Sequence, residues 1–204
     1  NAEIIKAGRT YADCLTHPVS AIGTNTVTVN LAPSSNLALN KTSSQSSTYT
    51  GYPASYCNDG NTSNFCSTNL EVGWWKVDLG LSYTINQIVL WNRLDCCADR
   101  VDNFKLQVSV TGAFAGEQVD VYTAVNQQAG RPSTYNITPI AGRYVRLLMT
   151  VSDYLNFAEM EVNGVSSLDG IVAGDDVLLM NVQGDTTNNG NAGNYEILTV
   201  QSIS

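Results

Sequence analysis

The sequence contains few charged residues and no apolar run long enough to cross a bilayer. Charged side chains make up 14% of its 204 residues, and 18 acidic residues outnumber 10 basic ones. A chain with this acidic balance lacks the basic surface that binds nucleic acids and anionic lipids. We therefore expect no nucleic-acid partner and no insertion into a membrane.

The sequence also lacks a signal-peptide pattern, in which a basic segment precedes a short apolar run. It begins with Asn1 rather than Met and ends in the strand-like run EILTVQSIS. We expect it to be a piece of a larger multidomain protein. Its many Ser, Thr, Asn and Gly residues are typical of secreted or cell-surface β-proteins.

Metal-binding cysteine patterns are absent, since there is no CxxC and no cluster of cysteine with histidine. The number of cysteines is five, which is odd. Two disulfides and one unpaired thiol are the simplest arrangement, and they imply an oxidising compartment. Cys14 is left over when the other four are taken as pairs, and these are Cys57, Cys66, Cys96 and Cys97.

Helical periodicity is almost absent, and short alternating runs separated by Gly, Asn, Asp and Ser dominate the chain. Strands are predicted at 26–30, 74–80, 84–91, 103–110, 118–125, 143–151, 157–164, 175–183 and 195–203. Many short strands at this spacing predict an all-β fold, an antiparallel β-sandwich.

The two ends of the chain differ from its middle. The predicted strands at 175–183 and 195–203 have no clear partner nearby, and one such pair alone is marginal in water. We expect 1–34 and 166–204 to form one small β-domain that is interrupted by, or flanks, the domain at 35–165. The alternative is two separate tails, or parts of neighbouring domains.

Several motifs of the middle segment occur in a familiar order: NLALNKTSSQSS, NDGNTSNF, WWKVDLG, NRLDCCADR, GRYVRL and NFAEMEV. This order resembles the discoidin-like, coagulation-factor C-type jelly rolls. NRLDCCADR more narrowly resembles the fucose-binding F-type lectins, whose pattern Arg-x-Asp-x-x-x-x-Arg matches Arg93, Asp95 and Arg100. The resemblance covers about two thirds of the chain and implies a jelly-roll lectin domain that binds a fucosylated glycan or a similar neutral sugar.

Two arginines suit this chemistry because sugar hydroxyl and ring oxygens accept hydrogen bonds, whereas a guanidinium only donates them. Asp95 lies between Arg93 and Arg100 and can fix a guanidinium in place. A site fixed in this way loses less entropy when a ligand binds. We therefore predict that these three residues bind a terminal sugar.

The resemblance also implies a disulfide between the adjacent Cys96 and Cys97, against which the apolar edge of a sugar packs. Neighbouring Cα atoms lie about 3.8 Å apart, less than the usual disulfide span of about 4.4–6.8 Å, so the bond would close a tight, rigid ring. The alternatives are two free cysteines or bridges to other partners. Cys57 and Cys66 are available to pair with each other, and Phe65 is the aromatic residue expected nearest the sugar.

The chain departs from the F-type pattern by lacking its histidine. The family's histidine lies 27 positions before the first arginine, and in this chain that position is Cys66. Alignment on the cysteine places Thr68 there instead. The only histidine, His17, lies far upstream and is expected at a turn or on the surface. We expect Thr68, or its neighbours Ser67 and Asn69, to donate to a sugar hydroxyl. Galactose-type sugars, and deoxy sugars other than fucose, therefore stay open as ligands.

A calcium site is the other implication of the resemblance, because the family binds calcium with a DGN loop and a glutamate near the last strand. The matching positions are Asp59, Asn61 and Glu159. Calcium takes six to eight oxygen ligands, so main-chain carbonyls are needed as well. The carbonyls expected to contribute are those of Tyr56, Cys66 and Ala158. As a lone motif, Asp-Gly-Asn is an ordinary turn.

Two other classes of protein compete with the lectin interpretation. A discoidin-like adhesion domain would bind protein or lipid through apolar loop tips. A glycan-processing enzyme would need two suitably spaced carboxylates, and no such pair is evident. The sequence also lacks a Ser–His–Asp order, a phosphate-binding glycine loop and HExxH. We therefore expect binding without catalysis.

Overall fold

A computed structural model describes residues 36–166 and, outside them, strands at 2–6, 19–22, 27–29, 33–34, 176–181 and 195–199. The chain divides into two compact units, one formed by Asn1–Ala32 with Leu168–Ser204 and the other by Pro33–Ser167. Within the described residues, no helix has the length and apolar character that a membrane crossing requires. Cys14 and His17, for which a free thiol and a turn were predicted, lie outside the described residues.

The strands are numbered in chain order as β1 (Ala2–Lys6), β2 (Val19–Ile22), β3 (Val27–Val29), β4 (Pro33–Ser34), β5 (Thr42–Gln45), β6 (Cys66–Glu71), β7 (Trp74–Trp91), β8 (Phe104–Ser109), β9 (Val119–Ala124), β10 (Ser133–Met149), β11 (Asp153–Phe157), β12 (Glu159–Ser166), β13 (Asp176–Asn181) and β14 (Tyr195–Thr199). In the smaller unit, β1 and β14 both pair antiparallel with β13, and β2 pairs with β3.

The larger unit is an antiparallel jelly roll. Its main sheet runs β4-β12-β7-β10-β8-β9, with β5 paired to β7 off this path, and β11 and β6 form a separate ribbon. Two short 3₁₀ turns, Ala54–Cys57 and Ala98–Arg100, are the helical pieces of the described residues. The predicted all-β, antiparallel class is confirmed.

The long strands β7 and β10 pair with each other at the centre of the main sheet. The first half of β7 pairs with β5 and the end of β10, whereas its second half pairs with β12 and the start of β10. The β7–β10 ladder shifts register on both sides of Gly142. A Cβ atom there would lie 2.2 Å from Cγ1 of Val108, so only glycine permits this close crossing.

Alternation along β7 sends one set of side chains into the core. Trp75, Val77 and Leu79 are fully buried, and Trp74 on the opposite face is half-buried. The Trp75 ring meets Phe157 edge-on at 5.3 Å between centroids, and its Nε1 donates to the Ala54 carbonyl at 2.9 Å. The core thereby anchors the turn Ala54–Cys57, from which the loop 58–65 emerges.

Candidate functional site

The loop 92–97 follows the end of β7 and leads into the turn Ala98–Arg100. Its first residue, Asn92, is 2% exposed, and its side-chain amide donates to the carbonyls of Ala98 and Ala129, both at 2.8 Å. Its Oδ1 accepts from the Arg93 main-chain N–H at 2.8 Å. One buried amide therefore closes this loop, the arginine loop (92–100), on itself.

Arg93 and Asp95 form a bidentate ion pair within the arginine loop. Nε and Nη2 of Arg93 donate to the two Asp95 oxygens at 2.7 and 2.6 Å. These hydrogen bonds hold the pKa of the Asp95 carboxyl at about 2, so it stays charged. A guanidinium has five N–H groups, and Asp95 takes two of them, which leaves donors for another acceptor.

Both arginines also lie against aromatic rings. The guanidinium carbon of Arg93 is 3.8 Å from the centroid of the Phe65 ring, and that of Arg100 is 4.7 Å from the Tyr154 ring. Nε of Arg100 is 3.7 Å from Oδ1 of Asp153, a longer and weaker ion pair than that of Arg93. The rings therefore fix both guanidinium planes through cation–π contact.

Four aromatic side chains connect the two arginines by successive ring contacts. Phe65 stacks on Tyr52 at 4.5 Å, Tyr52 lies 6.0 Å from Tyr49, and Tyr49 meets Tyr154 edge-on at 5.8 Å between centroids. We call Phe65, Tyr52, Tyr49 and Tyr154 the aromatic arc. It forms a continuous series of contacts from Arg93, which lies on Phe65, to Arg100, which lies on Tyr154.

Three members of the aromatic arc, and Asp153 beside Arg100, were not predicted from the sequence. Tyr49 and Tyr52 belong to the segment TYTGYPASY, whose density of tyrosine was the available signal. Asp153 and Tyr154 begin β11, a strand that the sequence did not predict. Main-chain bonds from Tyr49 N to the Ser67 carbonyl and from Ser67 N to the Tyr52 carbonyl attach the tyrosine segment to β6.

Cys96 and Cys97 are joined by a disulfide, with their Cα atoms 3.8 Å apart. Cys96 is exposed, and Cys97 adopts a left-handed backbone with φ of 57°, which is uncommon for a residue other than glycine. The Cys97 carbonyl accepts from Arg100 N at 3.2 Å. The cysteine pair thus reverses the chain into the turn that carries Arg100.

The prediction that Thr68 donates to a sugar is wrong, because Thr68 is fully buried. Its hydroxyl donates to the Asn69 carbonyl at 3.0 Å and accepts from Leu155 N at 3.1 Å. Ser67 is 4% exposed and donates to the Thr68 carbonyl at 3.1 Å, so it is excluded for the same reason. Of the three candidates, only Asn69 is exposed.

The second loop of interest is 58–65, closed by the disulfide between Cys57 and Cys66, and we call it the cation loop. Asp59 accepts from Asn61 N at 2.9 Å and from the Asn64 side chain at 2.7 Å. The Asn61 side chain in turn accepts from the main-chain N–H of Ser63 at 3.0 Å. These side chains therefore shape the loop from within.

Glu159 lies beneath the cation loop and is 1% exposed. One of its oxygens accepts from Gly60 N at 3.2 Å, and the other is buried without a hydrogen-bond partner. Burial, with a smaller contribution from the Asp59 charge, raises the pKa of the Glu159 carboxyl to about 7. The side-chain oxygens of Asn58 and Asn64 are likewise buried and unpartnered.

These carboxylate and amide oxygens suit a hard cation, but they do not form a cluster of acidic ligands. Across the described residues, no three His, Cys, Asp or Glu side chains are grouped to hold a metal. A buried, unpartnered oxygen is costly, and calcium accepts carboxylate, amide and carbonyl oxygens alike. Of the carbonyl candidates, Tyr56 lies in the turn before the loop, and Cys66 pairs across the β6–β11 ladder with Phe157, next to Ala158.

Comparison with known proteins identifies the family to which the chain belongs. A family model described as a NedA-like, galactose-binding domain matches residues 56–147, a range that includes both loops. Fucolectin-3 of Anguilla japonica is 31% identical over 141 residues, which are 63% of this chain and 78% of that protein. The chain belongs to the fucolectin family of F-type lectins.

Solved structures agree with this family. The F-type lectin from Morone saxatilis serum is 27% identical with a TM-score of 0.59, over 68% of this chain and 52% of that one. The lectin domain of lectinolysin, solved with Lewis B antigen, is 30% identical with a TM-score of 0.55, over 62% and 94%. The chain spans only 49% and 58% of fucolectin-6 of Anguilla japonica and fucolectin of Anguilla anguilla.

Proposed function

We propose that the unit Pro33–Ser167 is a lectin module of a secreted or cell-surface protein, and that it binds a terminal neutral sugar without turnover. The observation that carries this proposal is the pair of arginines, each fixed on an aromatic ring and connected by the aromatic arc. Fucose is the first candidate, because the fucolectin family is named for it and lectinolysin's related domain was solved with Lewis B antigen.

In this proposal, Arg93 and Arg100 donate to the hydroxyl and ring oxygens of the sugar. Asp95 keeps Arg93 from rotating, so little side-chain entropy is lost on binding. The disulfide of exposed Cys96 and half-buried Cys97, and the edge of Phe65 that Tyr52 and Arg93 leave uncovered, offer weakly polar surfaces to the sugar's C–H face. A site of this size binds one sugar modestly, so firm attachment requires several copies.

We also propose a structural calcium ion at the cation loop. Glu159 and the unpartnered oxygens of Asn58 and Asn64 would hold it, with Asp59, Asn61 and the carbonyls of Tyr56, Cys66 and Ala158 as further candidates. When bound, the ion supplies charge that stabilises the Glu159 carboxylate in its buried position. Glu159 accepts from Gly60 and thereby fixes the loop beside β12.

A glycan array tests the proposal, with the chain applied in calcium and again in chelator. We expect binding to glycans that end in fucose or a similar neutral sugar, and loss of that binding in Arg100→Met. Arg143→Met is the matched control, since Arg143 has its own bidentate carboxylate partner, Asp78, at 2.7 and 2.8 Å. Equal glycan binding by the parent and Arg100→Met would contradict the assignment of the site.

A discoidin-like adhesion role is the second candidate, and one observation favours it. Leu94, between Arg93 and Asp95, is 79% exposed and forms an apolar tip on the arginine loop. An adhesion domain would dock such a tip into a lipid surface or a protein partner. Leu94→Ser should then abolish binding to vesicles of mixed neutral and anionic lipid, whereas a sugar site would retain most of its affinity.

A further inference from the structure

Arg131 holds together two loops that are distant in sequence. Its Nη1 donates to the Asn92 carbonyl at the start of the arginine loop, and its Nη2 donates to the Thr62 carbonyl in the cation loop. Among the described residues, its guanidinium forms no ion pair. The Arg131 side chain therefore binds main-chain carbonyls of two different loops.

The planar fork of arginine suits this task. Its terminal nitrogens diverge in fixed directions, so one guanidinium can bind two carbonyls at once in a defined geometry. A lysine ammonium is a point charge on a flexible stem and sets no such geometry. Arg131 thus fixes the separation of Thr62 and Asn92, rather than only neutralising a charge.

Asn92 relays this fixed position to the sugar-binding residues. Its main-chain N–H donates to the Gly130 carbonyl at 3.0 Å, and its side chain donates to the Ala129 carbonyl at 2.8 Å. Its Oδ1 accepts from Arg93 N at 2.8 Å. The contacts therefore form a continuous path from Thr62 through Arg131 and Asn92 to Arg93.

We propose that Arg131 is a positioning residue that couples the cation loop to the arginine loop. This inference rests on the proposed function for its consequence, since order in the cation loop then stabilises the arrangement of Arg93 and Arg100. Coupling between two sites is reciprocal in free energy. Calcium at one loop and sugar at the other should therefore each protect the amides of the other loop.

Hydrogen exchange measured by mass spectrometry on the whole chain tests the coupling without requiring a sugar. Arg131→Met keeps the aliphatic stem and removes both hydrogen bonds. We expect exchange to rise several-fold in peptides from 58–65 and 92–100, and to stay unchanged in β8. Arg143→Met, which loses two hydrogen bonds to Asp78, should leave both loops unchanged. If Arg131→Met does not fold, Arg131→Lys decides by the same readout.

Faster exchange in one loop only, in neither loop, or throughout β8 as well would overturn the proposal. Calorimetry with methyl α-L-fucoside adds a second readout, in which Arg131→Met should weaken binding about tenfold and remove its dependence on calcium. Failure of the proposed function has a different signature. In that case Arg93→Met and Arg100→Met would not alter sugar binding, whereas the exchange result for Arg131 would stand unchanged.

Discussion

Among the residues that the structure describes, two arginine–carboxylate pairs are bidentate and have nearly equal geometry, and one of them belongs to the candidate site. Arg93 binds Asp95 at 2.7 and 2.6 Å, and Arg143 binds Asp78 at 2.7 and 2.8 Å. Arg143 also lies near an aromatic ring, with its guanidinium carbon 5.2 Å from the centroid of Tyr144. An ion pair beside a ring is therefore not by itself a binding site.

The surroundings of the two pairs account for the difference. The pair of Arg143 joins neighbouring strands in the middle of the β7–β10 ladder, where its partner also accepts from Gly80 N at 2.8 Å. The pair of Arg93 lies within one loop, next to the cysteine pair and at one end of the aromatic arc. The Arg143–Asp78 pair links two strands of a sheet, whereas the Arg93–Asp95 pair lies in a loop at the end of a strand and keeps hydrogen-bond donors there.

The largest expected effect is on sugar affinity when the site arginines are replaced. Arg93→Met or Arg100→Met should weaken methyl α-L-fucoside binding more than about 100-fold, because each removes charged donors that nothing else supplies. Isothermal calorimetry measures the loss, and circular dichroism checks that the fold is retained. Arg143→Met should bind as the parent does. A comparable loss in Arg143→Met would erase the distinction between the two pairs.

The cysteine pair is expected to matter less for affinity and little for stability. Cys96→Ser with Cys97→Ser should weaken sugar binding about tenfold, because the arginine loop loses the ring that reverses the chain towards Arg100. Replacing the buried pair Cys57 and Cys66 by serine should instead cost about 2–5 kcal/mol of unfolding free energy. Calorimetry and denaturant unfolding separate the two effects. Equal stability losses for both pairs would refute this contrast.

Neutralising the carboxylates should give a smaller effect that again separates the two pairs. Asp95→Asn should weaken sugar binding several-fold, since Arg93 loses its orientation, whereas Asp78→Asn should leave it unchanged.

Because the pKa of Asp95 is about 2, its ion pair is fully formed above about pH 4 and is lost as pH falls through 2. Binding measured between pH 4 and 8 should therefore show no step from Asp95.

The smallest expected effect is a pH dependence of stability in the absence of calcium. Burial raises the pKa of Glu159 to about 7, above its unfolded value of about 4.3, so the contribution of this group to stability is fully present below about pH 4 and is lost as pH rises through 7. In chelator, the melting temperature should fall by a few degrees between pH 5 and 8, at most about 3 kcal/mol in free energy.

Calcium and one variant serve as controls for that pH dependence. Saturating calcium should remove the fall, because the bound charge stabilises the Glu159 carboxylate. Glu159→Gln should remove it as well, since it carries no titrating group. The carboxyls of Asp95 and Glu117 do not interfere, because their pKa values of about 2 lie far below this range. A melting temperature unaffected by chelator at every pH would argue against the calcium proposal.

The sequence predicted the all-β class and the arginine loop because both are carried by local pattern. Alternation predicted β7 as two separate strands at 74–80 and 84–91, and it predicted the end of β10 at 143–151 but not its first half. Arg93, Asp95 and Arg100 occur at a spacing specific enough to resemble a family. The strands β6 and β11 were missed because they are short and their burial does not alternate. Because β11 carries Asp153 and Tyr154, both residues were missed with it.

The error at Thr68 has a specific physical cause. The β6–β11 ladder shifts register between Tyr154 and Asn156, which leaves Leu155 N without a ladder partner. The Thr68 hydroxyl accepts from that N–H, and so it is used within the fold. Counting residues along the chain could not reveal this bulge, in which Thr68 and Asn69 of β6 lie opposite Leu155 alone. Arg131 was missed for a similar reason, since both of its carbonyl partners are distant in sequence.

The most direct test of the account is an NMR titration that follows the arginine Nε–H signals while methyl α-L-fucoside is added. The signals of Arg93 and Arg100 should shift together and saturate at one affinity, because in the proposed function both guanidinium groups contact the same sugar. The signal of Arg143 should not move. Unmoved signals from Arg93 and Arg100 while other resonances saturate would place the sugar elsewhere and contradict the account.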